Sequence, residues 1–137
     1  MKGYDHFLYG LTIAGFAALV TIAAFLSPDP SGLGTHTELH LPPCGFWQAF
    51  HKPCPSCGMT TSWALLMHAR PVDALRTQPA GVAVFLAAFG WWLYLPMAWR
   101  KRLPFAHLFE LKATLITALS LIVMILGVWA WRLEAGW

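Results

Sequence analysis

The chain has 137 residues, of which 58% are hydrophobic and only 11% charged. Soluble domains are about 45–50% apolar and about 25% charged, so this balance points to a membrane protein with room for one small domain, residues 1–137. The formal charge of +3 would suit nucleic acid, but no basic patch with interleaved aromatic residues supports that, and membrane topology accounts for the charges better.

In chain order, the first apolar stretch is residues 7–26. Lys2 before an apolar run resembles a secretion signal, yet the run is longer than a usual signal core and no small-x-small site precedes Ser27-Pro28. It is read as a membrane anchor. Residues 80–99 and 113–131 are the second and third spans. None of the three contains Asp, Glu, Lys or Arg, and each approaches the roughly 20 residues that cross a bilayer core. Lipid offers no partner for exposed backbone N–H and C=O groups, so each span is helical.

The basic residues orient the spans. Segments 1–6 and 100–112 share one side and carry Lys2, Arg100, Lys101, Arg102 and Lys112; the other side carries Lys52, Arg70, Arg76 and Arg132 over a longer stretch. The tight 100–102 cluster next to a span places the N-terminus in the cytoplasm of a bacterial inner membrane and the 27–79 segment on the periplasmic or outer face. Trp99 then lies at the cytoplasmic interface and Trp129, Trp131 and Trp137 near the outer one, as an aromatic belt. Trp91 and Trp92 are deeper than a belt requires.

Within the outer segment, residues 27–43 are rich in turn formers. Residues 46–50 are short and aromatic. A helix is expected from Pro55 to Ala69, with Cys57, Thr61, Ala64 and His68 on one face. It is too short to span, so it rests on the membrane or dips into it. Pro71 interrupts it, and residues 72–77 add a turn or two before Pro79 opens the second span. The expected fold is an all-α membrane protein: three transmembrane helices plus a short re-entrant or interfacial helix in the first outer loop.

The chain's three cysteines, Cys44, Cys54 and Cys57, all lie in this segment. A Cys-Pro-x-Cys-Gly turn lets two thiolates converge on one ion. Cys44 is a third ligand and His68 the fourth by helical geometry, with His36, His40 and His51 as further loop candidates. Such a set suits tetrahedral Zn²⁺, and thiolates also suit Cu(I); zinc is the expected cofactor. The alternative is a disulfide drawn from Cys44, Cys54 and Cys57, since space outside the cytoplasm is oxidising; it leaves one cysteine over. As a redox motif, Cys-x-x-Cys would favour a thiolate at a helix start, but the βαβ pattern of thioredoxin-like folds is absent. Gly58 after Cys57 excludes the c-type haem motif. His36 and His40 also read as solvated loop residues, and His68 as an interfacial histidine bonded to a backbone carbonyl. No phosphate loop, nucleophile elbow or zincin motif is present, and no catalytic residue is assigned.

Cys44, Cys54, Pro55, Cys57, Gly58, Thr60, Asp73, Ala74 and Pro79 resemble the signature of a family of small bacterial membrane proteins of unknown function: a cysteine, then Cys-Pro-x-Cys-Gly-x-Thr, a short apolar helix, and Asn-Pro entering a span. The resemblance covers about a quarter of the chain. This sequence departs from it at Thr61-Ser62, where an arginine is usual after the threonine, and at Gln78, where asparagine is usual. The resemblance implies a three-helix or similar membrane protein and supplies no activity. The residues therefore point to an accessory or structural subunit of a membrane complex, in contact with lipid and other subunits and not with nucleic acid. The competing readings are a thiol-redox or metal-handling protein and, third, a pigment- or haem-associated subunit.

Overall fold

The computed structural model describes residues 3–110 and 112–135 and contains no strand among them. Three helices are long and apolar enough to cross a membrane: α1 (Gly3–Phe25), α5 (Pro79–Arg100) and α7 (Lys112–Glu134). Between α1 and α5 come a 3-10 turn (Thr35–Leu39) and three short helices, α2 (Gly45–Phe50), α3 (Met59–Met67) and α4 (Pro71–Thr77). A single turn, α6 (His107–Glu110), precedes α7.

The expected all-α architecture with three spans is observed. The helices outrun the apolar stretches mainly at two places, where α1 begins four residues early and α7 ends three residues late. Asp5 sits in the first turn of α1, nearly fully buried, and its Oδ1 accepts the Phe105 N–H at 3.1 Å. Tyr9 donates to the Leu103 carbonyl at 3.2 Å and stands edge-on to Phe105. These contacts clamp the start of α1 to the 101–106 connection, and with Leu95, Ala98 and Leu108 they form one core. The tryptophan pair too deep for a belt has a packing role: Trp92 Nε1 donates to the Ile13 carbonyl at 3.1 Å, and its ring lies 5.8 Å from that of Phe16. It pins α5 to α1.

The opposite end holds the long connection. Here α3 packs on α1, α4, α5 and the 3-10 turn. Trp63 Nε1 donates to the Gly81 carbonyl at 3.0 Å, and a side chain at Gly81 would collide with the Ser62 hydroxyl. Gly81 thus permits the close approach of α3 to α5, whereas Gly90 has open space around it. By contrast α7 lies against α5 with most of its length uncovered; Leu115, Ile116, Leu119 and Val123 are all exposed.

One expectation about the connection is corrected. The helix begins at Met59, not Pro55, and ends at Met67. Residues 54–58 form tight turns instead: Cys57 N–H donates to the Cys54 carbonyl and Met59 N–H to the Ser56 carbonyl, both at 3.1 Å. Gly58 then adopts φ 88°, outside right-handed helical space. Cys57 therefore precedes the helix and does not start it. Pro71 opens α4 at its first position, where its missing N–H costs nothing.

Candidate metal centre

The Cys54–Cys57 turn and the start of α2 bring three sulfurs together. Cys54 Sγ lies 2.8 Å from Cys57 Sγ, which lies 3.5 Å from Cys44 Sγ, and all three fall within 4.8 Å of one another. Sulfurs bound to one tetrahedral Zn²⁺ at about 2.3 Å are separated by about 3.8 Å. The 2.8 Å and 3.5 Å spacings are shorter than that value, so side-chain rotations that part the sulfurs would seat a soft ion.

The backbone holds this arrangement. Cys44 is the residue before α2; its carbonyl accepts the Gln48 N–H at 3.1 Å. The Trp47 N–H directed at its sulfur outweighs partial burial and holds the Cys44 thiol below its ordinary value. Cys57 is only 8% exposed. Burial first, and the thiol–thiol hydrogen bond shared with Cys54 second, push its thiol up to about 12.

Gly58 is the hinge. Its φ of 88° disfavours any residue with a Cβ, and a Cβ there would sit 3.0 Å from the Gly32 carbonyl oxygen. Gly58→Ala is expected to destabilise the loop by about 1–2 kcal/mol, read as faster proteolysis within residues 27–58 and a lower unfolding midpoint in detergent. An unchanged midpoint would show that the turn relaxes freely.

Residues distant in sequence complete the support. Arg132, near the end of α7, is 4% exposed; one of its terminal nitrogens (Nη1) donates to the Cys57 carbonyl at 3.0 Å and to Gln78 Oε1 at 3.2 Å. Gln78 Nε2 donates in turn to the Pro55 carbonyl at 3.0 Å. Trp129 Nε1 donates to the Pro53 carbonyl at 2.8 Å. The third span thus grips both flanks of the cysteine turn, and the Arg132 guanidinium acts electrostatically on Cys57 and Cys54. Read as a belt residue and an interfacial charge, Trp129 and Arg132 carried no sequence signal for this role. Gln78 had one: a polar residue directly before the proline that opens a span.

The histidines divide differently. Among the described residues, the close group of metal-ligand atoms contains the three cysteines and no histidine. His68 is exposed, and its Nδ1 lies 2.8 Å from the Ala64 carbonyl, the arrangement of an interfacial histidine bonded to backbone. His40 and His51 are exposed and follow the 3-10 turn and α2 in the left-handed conformation. His36 lines the same cavity as the three sulfurs.

That cavity measures about 520 Å³ and is walled by Leu19, Ile22 and Leu26 of the first span and its exit. Thr61, one of its lining residues, is bonded to the buried Thr35, their hydroxyl oxygens 2.8 Å apart. Thr61, where the resembled signature carries an arginine, therefore ties the 3-10 turn to α3. The chemistry on offer is soft-metal coordination, thiol–disulfide exchange, or both in different states.

Residues 44–93 match the model of a family described as "Protein of unknown function (DUF2752)". The match takes in the three cysteines, α2, α3, α4 and the first part of α5, less than half of the chain. No curated protein and no solved structure matches the chain.

Proposed function

We propose that this protein is a small accessory subunit of a bacterial inner-membrane assembly whose outer-face loop is clipped by a metal ion bound to Cys44, Cys54 and Cys57. The observation that carries this is the convergence of three sulfurs within 4.8 Å beside a buried guanidinium. Three thiolates and one divalent ion leave a net charge of −1, and the Arg132 guanidinium beside the buried Cys57 offsets it. Zinc fits the donor set and the charge. Of the candidate histidines, His36 is best placed to complete the coordination, because it shares the cavity with the sulfurs.

The accessory role rests on surface. The window of α7 with the highest hydropathy has no buried residue, and apolar side chains cover its outer face. Lipid or neighbouring subunits would cover it. The positive-inside distribution supports a cytoplasmic N-terminus, which would put α3 and α4 at the opposite interface as a re-entrant pair. The whole chain acts as one membrane domain.

A second reading, thiol redox chemistry, draws on the 2.8 Å approach of Cys54 and Cys57 and on the contrast between the lowered Cys44 thiol and the raised Cys57 thiol. Elemental analysis of the full-length protein, purified in mild detergent with reductant, separates the two. The metal reading expects about one ion per chain and thiols that resist alkylation until a chelator is added. Metal-free protein whose thiols label only after reduction would favour the redox reading and sink the metal one. Co-purification from the native membrane tests the subunit role: a lone monomer with no retained partner would count against it.

A further inference from the structure

A metal clip makes no use of the cavity of about 520 Å³ beside the three sulfurs. Its volume lies within the roughly 300–1,000 Å³ of small-molecule sites, and its make-up is of that kind, apolar walls with a few convergent polar groups. Leu19 and Ile22 of α1 wall it and are themselves exposed, as are Leu39 and Leu41 on the loop side. Both α1 residues belong to a helix long and apolar enough to cross the membrane, so the mouth of the cavity opens toward the bilayer and a ligand arrives through lipid. No Asp, Glu, Lys or Arg is among the described residues that line it, which disfavours a phosphate headgroup or a carboxylate. The hydrogen-bonding side chains that do line it, His36, Ser56 and Thr60, suit a neutral head with carbonyl oxygens. Beside them stand Cys54 and Cys57, with sulfurs 2.8 Å apart, a two-electron reductant in the dithiol form. We infer that the cavity is a binding site for a lipophilic quinone that oxidises Cys54 and Cys57.

In this step the S–H bonds of Cys54 and Cys57 break and one S–S bond forms. Both electrons and both protons pass to the quinone, whose carbonyl oxygens become the hydroxyls of a hydroquinone. A disulfide brings its sulfurs to about 2.05 Å, so a pair already 2.8 Å apart closes with little movement of the turn. The apolar body of the ligand lies against Leu19 and Ile22, and the hydroquinone returns to the bilayer by the same mouth. The inference rests on the thiol reading of the cysteines and concerns the metal-free protein, because a bound ion would hold both sulfurs as thiolates and block the step.

The test uses the full-length protein in detergent, reduced and stripped of metal with a chelator, and a benzoquinone bearing a decyl tail. Quinone absorbance and alkylation of the remaining thiols follow the reaction. One quinone consumed per disulfide is expected, at a rate that saturates with quinone concentration. Ile22→Trp, at the cavity mouth, should slow the reaction about tenfold, whereas Leu115→Trp, on the exposed face of α7 and outside the cavity, should not. Ile22 is exposed, so its replacement does not threaten folding. Diamide, a water-soluble thiol oxidant, should form the disulfide at the same rate in the parent and both variants. Equal quinone rates in all three proteins, or no quinone reduction where diamide forms the disulfide, would overturn the inference and leave the thiol reading standing. No disulfide with either oxidant would sink the thiol reading and this inference with it. Competition by phosphatidylglycerol as strong as that by the redox-inert dimethyl ether of the hydroquinone would mark a general acyl-chain groove and overturn the quinone assignment.

Discussion

Cys57→Ser should release the bound metal and flatten the pH dependence of metal binding. Loss of partners that merely orient a ligand costs about 10–100-fold in affinity, so loss of the most buried sulfur should cost more than 100-fold. The pH profile carries the sharper test. Burial pushes the Cys57 thiol up to about 12, so at neutral pH the empty site holds its proton, and an incoming ion must displace it. Apparent affinity therefore rises with pH, by about tenfold per unit for each proton released. Cys57 sustains that rise up to about pH 12, while Cys44, held below its ordinary value by the Trp47 N–H, ceases to contribute earlier. In Cys57→Ser the slope of log affinity against pH should fall by about one. Cobalt titration from pH 6 to 8, with the thiolate-to-metal absorption as readout, measures both quantities. An unchanged slope would exclude Cys57 as a ligand.

The same raised value fixes the behaviour of the metal-free protein. A thiol whose folded value lies above its ordinary value of 9.0 favours folding while neutral. That contribution is complete below about pH 9 and is lost as pH rises toward 12. Metal-free protein should therefore weaken over this window, and the Cys57→Ser protein, lacking the buried thiol, should weaken less.

Arg132→Met is expected to be strongly destabilising. It leaves the Cys57 carbonyl and Gln78 Oε1 without the donor that now serves both from one nitrogen. Each lost hydrogen bond to a charged group is worth about 1.5–3 kcal/mol, so a loss of about 3–6 kcal/mol follows. Arg132→Lys should recover only part of it, because an ammonium on a flexible stem does not reproduce the geometry of the fork. Thermal unfolding in detergent, followed by near-ultraviolet circular dichroism of the tryptophans, reports the change. Trp129 and Trp63 are themselves bonded to the loop and to α5, so their signal tracks this end of the molecule. An Arg132→Met protein as stable as an exposed control such as Arg100→Gln would show that the grip of α7 on the cysteine turn is incidental.

Much of the loop was legible locally. Pro71 and Pro79 announced α4 and α5, whereas the short aromatic stretch 46–50 carried no helix signal and folds as α2. The misplaced start of α3 has a clear cause. Periodicity from Pro55 onward is compatible with a helix, and nothing in that pattern shows that Gly58 will take a positive φ. That conformation is set by the Gly32 carbonyl and Thr77 packed against it, residues 26 and 19 positions away. His68 shares a helical phase with Cys57 only in a helix that starts at Pro55. Once Cys57 leaves the helix, that phase relation no longer applies, and the ring is free to bond its own backbone at Ala64.

By itself the sequence determined that the chain crosses a membrane three times and gathers its chemistry in one loop. About twenty consecutive apolar residues have no other stable solution in lipid, because only a helix satisfies every backbone group there. Cysteine spacing of three residues likewise brings two sulfurs together through local backbone alone. Only the tertiary structure decided that Cys44 joins them, that His36 rather than His68 faces the same cavity, and that Arg132 and Trp129 secure the turn from 75 and 76 residues away. Those contacts depend on how α7 packs against α5 and where its last turn meets the loop. Long-range packing of this kind leaves no periodic trace in a single chain.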